Sequence, residues 1–418
     1  MAPVTRIDAE EDVIPMKKTF KNPEFQFGFL LTLGASYHQG SDVGECLETA
    51  RRIKNGDAES WFVEWSATAD RIRQIAESCH VKGHLISARE AFLRASTYYS
   101  AALGLIDSSK DPSRMMPTWE QHRSCWDHFV DLTDPAGERI AIPYKGTTLP
   151  GYFFSVDRSG KPRPLLIMNN GSDGPTSSMW TMGGAEALER GYNFMTFDGP
   201  GQQAALFKQN IGFRHDWEKV ITPVVDCLLG RTDVDARRIT LLGVSQAGYW
   251  VPRAVAFEHR IAAAIADPGV WDVGAQTWFK SLPRSMAQLL DSDDPVAKAK
   301  FNRNLEWFGR FSKATRRKLD FRMRPYLLET PYDTFKAIRQ YTMRGVARLI
   351  SCPMLITDPE NEQFWPGESQ TLYNALTCPK TLITFATSEG ADGHCEPTAG
   401  GLREQRIFDW LDETLMHV

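Results

Sequence analysis

Several features that mark metal-binding, secreted, membrane or nucleic-acid-binding proteins are missing from this sequence. Its seven cysteines are scattered, and no two form a Cys-x-x-Cys pair, so neither a disulfide framework nor a zinc site is predicted. No window approaches the roughly 18 apolar residues of a membrane span, and the first 25 residues lack the apolar stretch of a secretory signal. A formal net charge of −4 over 418 residues gives no reason to expect nucleic acid or an anionic membrane as a partner. These absences favour a cytoplasmic location.

The first third of the chain has helical periodicity. Residues 61–78 place apolar side chains at 62, 65, 72 and 75 with charged residues between them, which is close to a period of 3.6. In residues 84–106, apolar residues again recur at steps of three and four. We therefore expect a helical N-terminal domain.

After residue 126 the pattern changes to short apolar runs that alternate with helical stretches. A segment punctuated by Pro and Gly, 128–156, is typical of a pair of antiparallel strands. Six further runs are typical of buried strands: 164–171, 193–201, 238–248, 262–269, 352–359 and 380–394. Buried strands that alternate with helices indicate an α/β protein with a mostly parallel central sheet, covered by helices on both faces.

One connection is too long for this scheme, because about eighty residues of helical pattern separate the strand runs at 262–269 and 352–359. Connections within a compact α/β core are usually short, so this segment is predicted to be a helical cap. The resulting division is an N-terminal helical domain (1–125), a first core part (126–270), the cap (271–348) and a second core part (349–418).

Ser245 lies in the string Gly243-Val244-Ser245-Gln246-Ala247-Gly248, directly after one strand run and before a helical stretch. This resembles the G-x-S-x-G nucleophile elbow of α/β hydrolases, with Ala in place of the last Gly. Small residues are needed two positions before and after the serine because the turn is tight. The alternative is a non-catalytic serine that caps an ordinary helix.

The order of residues along the chain favours the nucleophile, since the elbow fold requires a serine, then an acid, then a histidine. Past Ser245, His259 lies within a helix and His417 at the C-terminus, whereas His394 follows the last strand run in a Gly-rich loop. His394 is therefore the predicted general base.

The acid is expected after the strand run at 352–359. Glu362, four residues before Pro366, is the preferred candidate, and Asp358, directly after the strand, is the alternative; Glu360 and Glu368 also lie in this segment. Either type of carboxylate can hold the imidazole and stabilise its protonated form.

Two backbone N–H groups are expected to form an oxyanion hole. One belongs to Gln246, which follows the serine, and the other to Ser172 or Asp173 in the small-residue loop after an earlier strand. The sequence Asp-Gly-Pro-Gly-Gln-Gln at 198–203 lacks the pattern of a phosphate-binding loop and is interpreted as a structural turn.

The loop 169–174, the turn 198–203, the elbow with its helix, the acid loop 357–369 and the segment 389–395 together resemble one group of α/β hydrolases. The group includes 2,6-dihydropseudooxynicotine hydrolase and fungal hydrolases that shorten polyketides in pigment pathways. The resemblance implies an α/β-hydrolase fold, catalysis by Ser245, Glu362 and His394 without cofactor or metal, and a homodimer. It also implies hydrolysis of a carbon–carbon bond next to a ketone, although the relatives carry Asp where this chain has Glu362.

A small-molecule ketone or ester, aromatic or conjugated, is the expected partner. The aromatic residues predicted to line its pocket are Trp180, Trp250, Trp271, Trp278, Phe364 and Trp365. The same serine could hydrolyse an ester, lactone or thioester through an equivalent acyl-enzyme, and a non-catalytic binding protein on this fold is a third reading.

Overall fold

The computed structural model describes residues 18–310 and 313–416; for residues 308–310 and 313–315 it describes the backbone only. The predicted residues 1–17 of the N-terminal domain and His417 lie outside this part. Within it, eight strands form one sheet with the order β1-β2-β4-β3-β5-β6-β7-β8. The strands are β1 (Glu138–Tyr144), β2 (Thr147–Phe154), β3 (Arg163–Asn169), β4 (Asn193–Phe197), β5 (Val234–Val244), β6 (Ala263–Asp267), β7 (Met354–Pro359) and β8 (Lys380–Phe385).

Strands β3 to β8 pair in parallel, while β2 is antiparallel to both β1 and β4. This confirms the expected α/β class with a mostly parallel sheet. The central strands are buried on both faces: in β3, Leu166 and Met168 belong to one hydrophobic cluster, and Leu165 and Ile167 to another. Residues on the two sides of a strand alternate, so each face of the sheet needs its own covering layer.

In residues 18–137, five α-helices precede the sheet and pack on one face of it. They are α1 (Pro23–Gly34), α2 (Val43–Arg52), α3 (Ala58–Val81), α4 (Leu85–Leu103) and α5 (Met115–Asp131). Their buried aromatic residues, among them Trp65, Tyr98 and Trp126, share one hydrophobic cluster with Phe194 of β4. The N-terminal helices are therefore one wall of the molecule's main core.

The helices between and after the strands cover both faces. They are α6 (Thr176–Met179), α7 (Ala185–Glu189), α8 (Gln203–Phe207), α9 (Glu218–Leu229), α10 (Ala247–Val255), α15 (Glu368–Ala375) and α16 (Gly400–Leu415). Residues of α16 join the cluster of the N-terminal helices, whereas residues of α9 and α10 belong to the cluster on the opposite face. None of the described helices is long and apolar enough to cross a lipid bilayer.

The described residues of the long connection between β6 and β7 form four α-helices: α11 (Arg284–Leu289), α12 (Pro295–Arg310), α13 (Lys313–Met323) and α14 (Pro331–Ile338). They have a small core of their own, built on Phe301, Tyr332 and Phe335. We call this segment the cap. Its helix α13 is joined to α1 by an ion pair, Lys318 Nζ to Glu24 Oε1 at 3.0 Å.

Candidate active site

The turn between β5 and α10 places Ser245 in a left-handed backbone conformation, with φ of 60°. Its backbone N–H donates to the carbonyl of Asp267 at the end of β6, at 2.6 Å. A Cβ on Gly243 would overlap Ala247 and Val251, which explains the small residue two positions before the serine. The strain of this turn is offset by the packing around it and leaves the serine hydroxyl at the carboxyl edge of the sheet.

His394 and Glu362 reach the same edge from the loops after β8 and β7. His394 Nε2 lies 2.8 Å from Ser245 Oγ, and His394 Nδ1 lies 2.7 Å from Glu362 Oε2. An ionised carboxylate can only accept hydrogen bonds, so Nδ1 carries the proton and Nε2 is left to accept from the serine hydroxyl. The structure thus brings together the three residues that the chain order singles out.

Glu362 is nearly buried and receives three hydrogen bonds. Besides the bond from His394, its Oε1 accepts from the backbone N–H groups of Phe364 at 2.7 Å and Trp365 at 3.1 Å. Burial by itself would raise the pKa of this carboxyl, but the electrostatic interaction with His394 and these hydrogen bonds outweigh it, and the pKa lies below its ordinary value. The carboxylate is therefore held ionised and aimed at the imidazole.

The other acids of this segment point elsewhere. Asp358 does not bond to His394, and burial together with the nearby charge of Glu362 raises its pKa. Glu360 accepts from the backbone of Thr387, and Glu368 from the backbone of Asp272. Of the two candidates for the acid, Glu362 is the one in contact with the histidine.

The loop after β3 comes very close to the serine. A Cβ on Gly171 would lie 2.6 Å from Ser245 Cβ, so only glycine permits this approach. The Gly171 N–H is already bonded to Asn170 Oδ1 at 2.7 Å, while Ser172 and Asp173 follow next. No described acceptor receives the backbone N–H of Gln246, which is what an oxyanion donor requires.

Gln202, in the turn after β4, holds this loop in place, although no motif in the sequence pointed to this residue. Its Nε2 donates to the carbonyls of Asn170 and Gly171, each at 2.6 Å. Its Oε1 accepts from the backbone of Gly199 and from the side chain of Asn169. The turn 198–203 is structural, as expected, and what it supports is the loop beside Ser245.

Aromatic rings surround the histidine. Phe364 and Trp365 lie 4.6 and 5.7 Å from the His394 ring, between ring centroids. Phe27 of α1 adds a third ring, 6.1 Å from His394 and 5.6 Å from Phe364. The N-terminal helices therefore contribute a wall of the site, and neither composition nor motif pointed to Phe27.

The remaining predicted pocket residues do not join this aromatic group. Trp180 packs against Phe129, Phe154 and Phe194 on the N-terminal helices' side of the sheet, because the chain after α6 directs it into that cluster. Trp250 is fully buried and stacks on Trp217 at 4.2 Å.

The last two predicted pocket residues differ in the clusters they pack on. Trp271 packs on the cluster that contains α9 and α10. Trp278 contacts Tyr326 and Phe335 of the cap edge-on. The aromatic wall beside His394 is therefore built by Phe27, Phe364 and Trp365.

One group of metal-ligand residue types occurs in the described part of the chain: His38, Glu186 and Glu404. These side chains already bind each other or arginines, with His38 on Glu404 at 2.6 Å and Glu186 on Arg190 at 2.6 Å. Such ion pairs account for the cluster without a metal. It is also distinct from Ser245, Glu362 and His394.

Comparisons with known proteins agree with this fold. No protein-family profile matches the chain. It is 29% identical to the hydrolase acrC of Aspergillus aculeatus, covering 95% of this chain and 98% of that protein. It is also 29% identical to the 20-hydroxy-prefusarin hydrolase FUS2 of Gibberella moniliformis, over 96% and 98% of the two chains.

A solved structure is similar over most of its length as well. The structure of 2,6-dihydroxy-pseudo-oxynicotine hydrolase superposes with a TM-score of 0.69 at 21% identity, covering 91% of this chain and 95% of that one. Together with the relationship to the alpha/beta hydrolase psoB of Aspergillus fumigatus, at 27% identity over 95% of this chain and 94% of that protein, this confirms the resemblance and the fold predicted from the motifs. The chain has the α/β-hydrolase fold and is similar over nearly its whole length to fungal hydrolases.

Proposed function

We propose that the protein is a serine hydrolase that cleaves a carbon–carbon bond next to a ketone through an acyl-enzyme. The observation that carries the proposal is the hydrogen-bonded chain from Ser245 to His394 to Glu362 at the elbow. A hydroxyl bonded to a neutral imidazole, itself oriented by a carboxylate, is the arrangement that activates serine for attack on carbonyl carbon.

In the first step His394 Nε2 takes the proton of Ser245 while Oγ forms a bond to the ketone carbon. The carbonyl electron pair moves to oxygen, and the resulting alkoxide accepts hydrogen bonds from the Gln246 N–H and from an N–H of Ser172 or Asp173. Removal of one such donor typically costs about 3 kcal/mol of transition-state stabilisation. The carboxylate of Glu362 stabilises the imidazolium that forms.

In the second step the alkoxide re-forms a carbonyl and expels the neighbouring carbon with its bonding electrons. That carbon must be stabilised as an enolate or by an electron-rich aromatic ring, and it receives the proton held by His394. Water activated by His394 then attacks the acyl group on Ser245, which releases a carboxylic acid and restores the serine. The aromatic wall of Phe27, Phe364 and Trp365 suits a flat, conjugated substrate.

The test compares the products of a conjugated 1,3-diketone and of a matched ester, with wild type and Ser245→Ala. We expect wild type to convert the diketone to a ketone and an acid, and Ser245→Ala to lose about 10⁴-fold or more in kcat. If only the ester is hydrolysed, carbon–carbon cleavage is excluded and the protein is an ester, lactone or thioester hydrolase. Equal activity of the two proteins, or no turnover of either substrate class together with an unreactive serine, would leave a binding protein on the same fold.

A further inference from the structure

Arg322, near the end of cap helix α13, differs from the other arginines of the molecule. Every other buried or half-buried arginine in the described part of the chain has an acidic oxygen within ion-pair distance; Arg322, although half-buried, has none. Its one hydrogen bond among the described residues runs from Nη1 to the carbonyl of Thr277, at 3.1 Å. A guanidinium has five N–H donors and stays charged in proteins, so most of its binding capacity is unused.

The surroundings of Arg322 connect it to the candidate active site. It lies near enough to Asp173, one of the two candidates for the second oxyanion donor, for the charges of the two side chains to interact. Its other charged and titratable neighbours are Glu24 of α1 and Tyr326 of the cap. The carboxylate of Glu24 already forms an ion pair with Lys318.

Tyr326 connects this part of the cap to the elbow. Its side chain lies against that of Gln246, which directly follows Ser245 and is buried, and its ring packs edge-on against Phe213, which packs on Trp250 of α10. A guanidinium beside Tyr326 with unused donors therefore describes a place for acceptor atoms between the cap and the elbow. Donors removed from water are rarely left unmatched, because an unsatisfied group costs free energy.

We infer that Arg322 is a specificity residue that binds a carboxylate of the substrate, remote from the scissile carbonyl. A planar guanidinium matches a carboxylate with two parallel hydrogen bonds. The inference rests on the proposed hydrolase function and adds the substrate class: an acidic, conjugated carbonyl compound, with its acid under the cap and its flat part against Phe27 and Phe364.

The test uses two matched pairs of esters, each with an acidic and a neutral member. In the first pair the carboxylate is on the acyl side: the 4-nitrophenyl monoester of adipic acid against 4-nitrophenyl pentanoate. In the second pair it is on the leaving group: 4-carboxyphenyl against phenyl pentanoate. Kinetics are measured for wild type, Arg322→Met, Arg322→Lys and the control Arg316→Met, which removes an exposed charge from the same helix.

In at least one pair we expect wild type to prefer the acidic member. Arg322→Met should lower this preference in kcat/KM by about 10–100-fold, mostly through KM, while the neutral member changes less than about threefold. Arg322→Lys should retain part of the preference, and Arg316→Met all of it. An unchanged preference in Arg322→Met, or an equal loss for acidic and neutral esters, would overturn the inference. Because only esters are used, neither result bears on carbon–carbon cleavage.

Discussion

Two buried glutamates lie close to His394 and differ in their surroundings. Glu362 is 8% exposed and receives hydrogen bonds from two backbone amides and the imidazole. Glu396, two residues after His394, is fully buried, and neither of its oxygens receives a hydrogen bond from the described residues. Similar burial therefore acts on two carboxyls with opposite surroundings.

The surroundings decide the direction of each pKa. Donors and the imidazole hold the pKa of Glu362 below its ordinary value. Burial and the carboxylate of Asp267 raise the pKa of Glu396 well above its ordinary value, despite the opposing charge of Arg403. We therefore expect Glu396 to keep its proton in the folded protein, where it can donate to Asp267, whose backbone carbonyl accepts from the Ser245 N–H. Burial makes the ionised form of a carboxyl unfavourable, and the number of hydrogen-bond donors around the carboxyl determines whether it stays ionised.

Replacing the ionised member of this pair should have the largest effect. Glu362→Gln keeps the shape but removes the charge that orients and stabilises the imidazolium, so kcat should fall about 10³–10⁴-fold with little change in KM. Steady-state kinetics check this on the best ester or diketone. Glu396→Gln is the matched control. An equal loss of kcat in both variants would contradict the proposed difference between the two glutamates.

Replacing the neutral member should change stability rather than activity. In wild type the folded state keeps the Glu396 proton, while the unfolded chain releases it above its ordinary pKa of 4.5. The contribution of this group to stability is therefore present below that value and is lost as the pH rises towards the folded pKa, by up to about 1.4 kcal/mol per pH unit. Glu396→Gln should lack this loss.

Urea unfolding of wild type and Glu396→Gln between pH 5 and pH 8 measures the difference. The free energy of unfolding of the variant should gain on that of wild type as the pH rises. A constant difference across this range would mean that Glu396 is ionised in the folded protein.

The smallest effect is expected for Glu362 in acid. Because its folded pKa is lowered, its contribution to stability is present above the ordinary pKa and is lost as the pH falls through the folded value. The gap in free energy of unfolding between wild type and Glu362→Gln should therefore narrow from pH 6 towards pH 3. A gap that widened in acid would show that the carboxyl is protonated in the folded state.

The residues at the strand ends could be predicted from the sequence. Ser245, Glu362 and His394 each follow a run that forms a parallel strand, β5, β7 or β8. Parallel strands end at one edge of a sheet, so their order along the chain is enough to bring the three together. The elbow and the acid loop needed no information about distant packing.

The residues that cover the site could not be predicted in this way. Phe27 reaches His394 from a helix more than 360 residues earlier in the chain, and Arg322 from the cap. Such contacts depend on how separate layers dock, which local patterns do not encode. The prediction that Trp180 and Trp250 line the substrate pocket did not identify the aromatic wall beside His394, for the same reason. Apolar character indicates that a side chain is buried, but not which side of the sheet its ring faces.

The central claim is that Ser245 is a nucleophile activated by His394, and its most direct test is covalent labelling by a fluorophosphonate, followed by mass spectrometry of the intact protein and its peptides. Wild type should gain a single adduct, located on Ser245. Ser245→Ala should gain none, and His394→Ala and Glu362→Gln should react far more slowly. An unlabelled wild type, or a Ser245→Ala variant labelled as fast as wild type, would contradict the account.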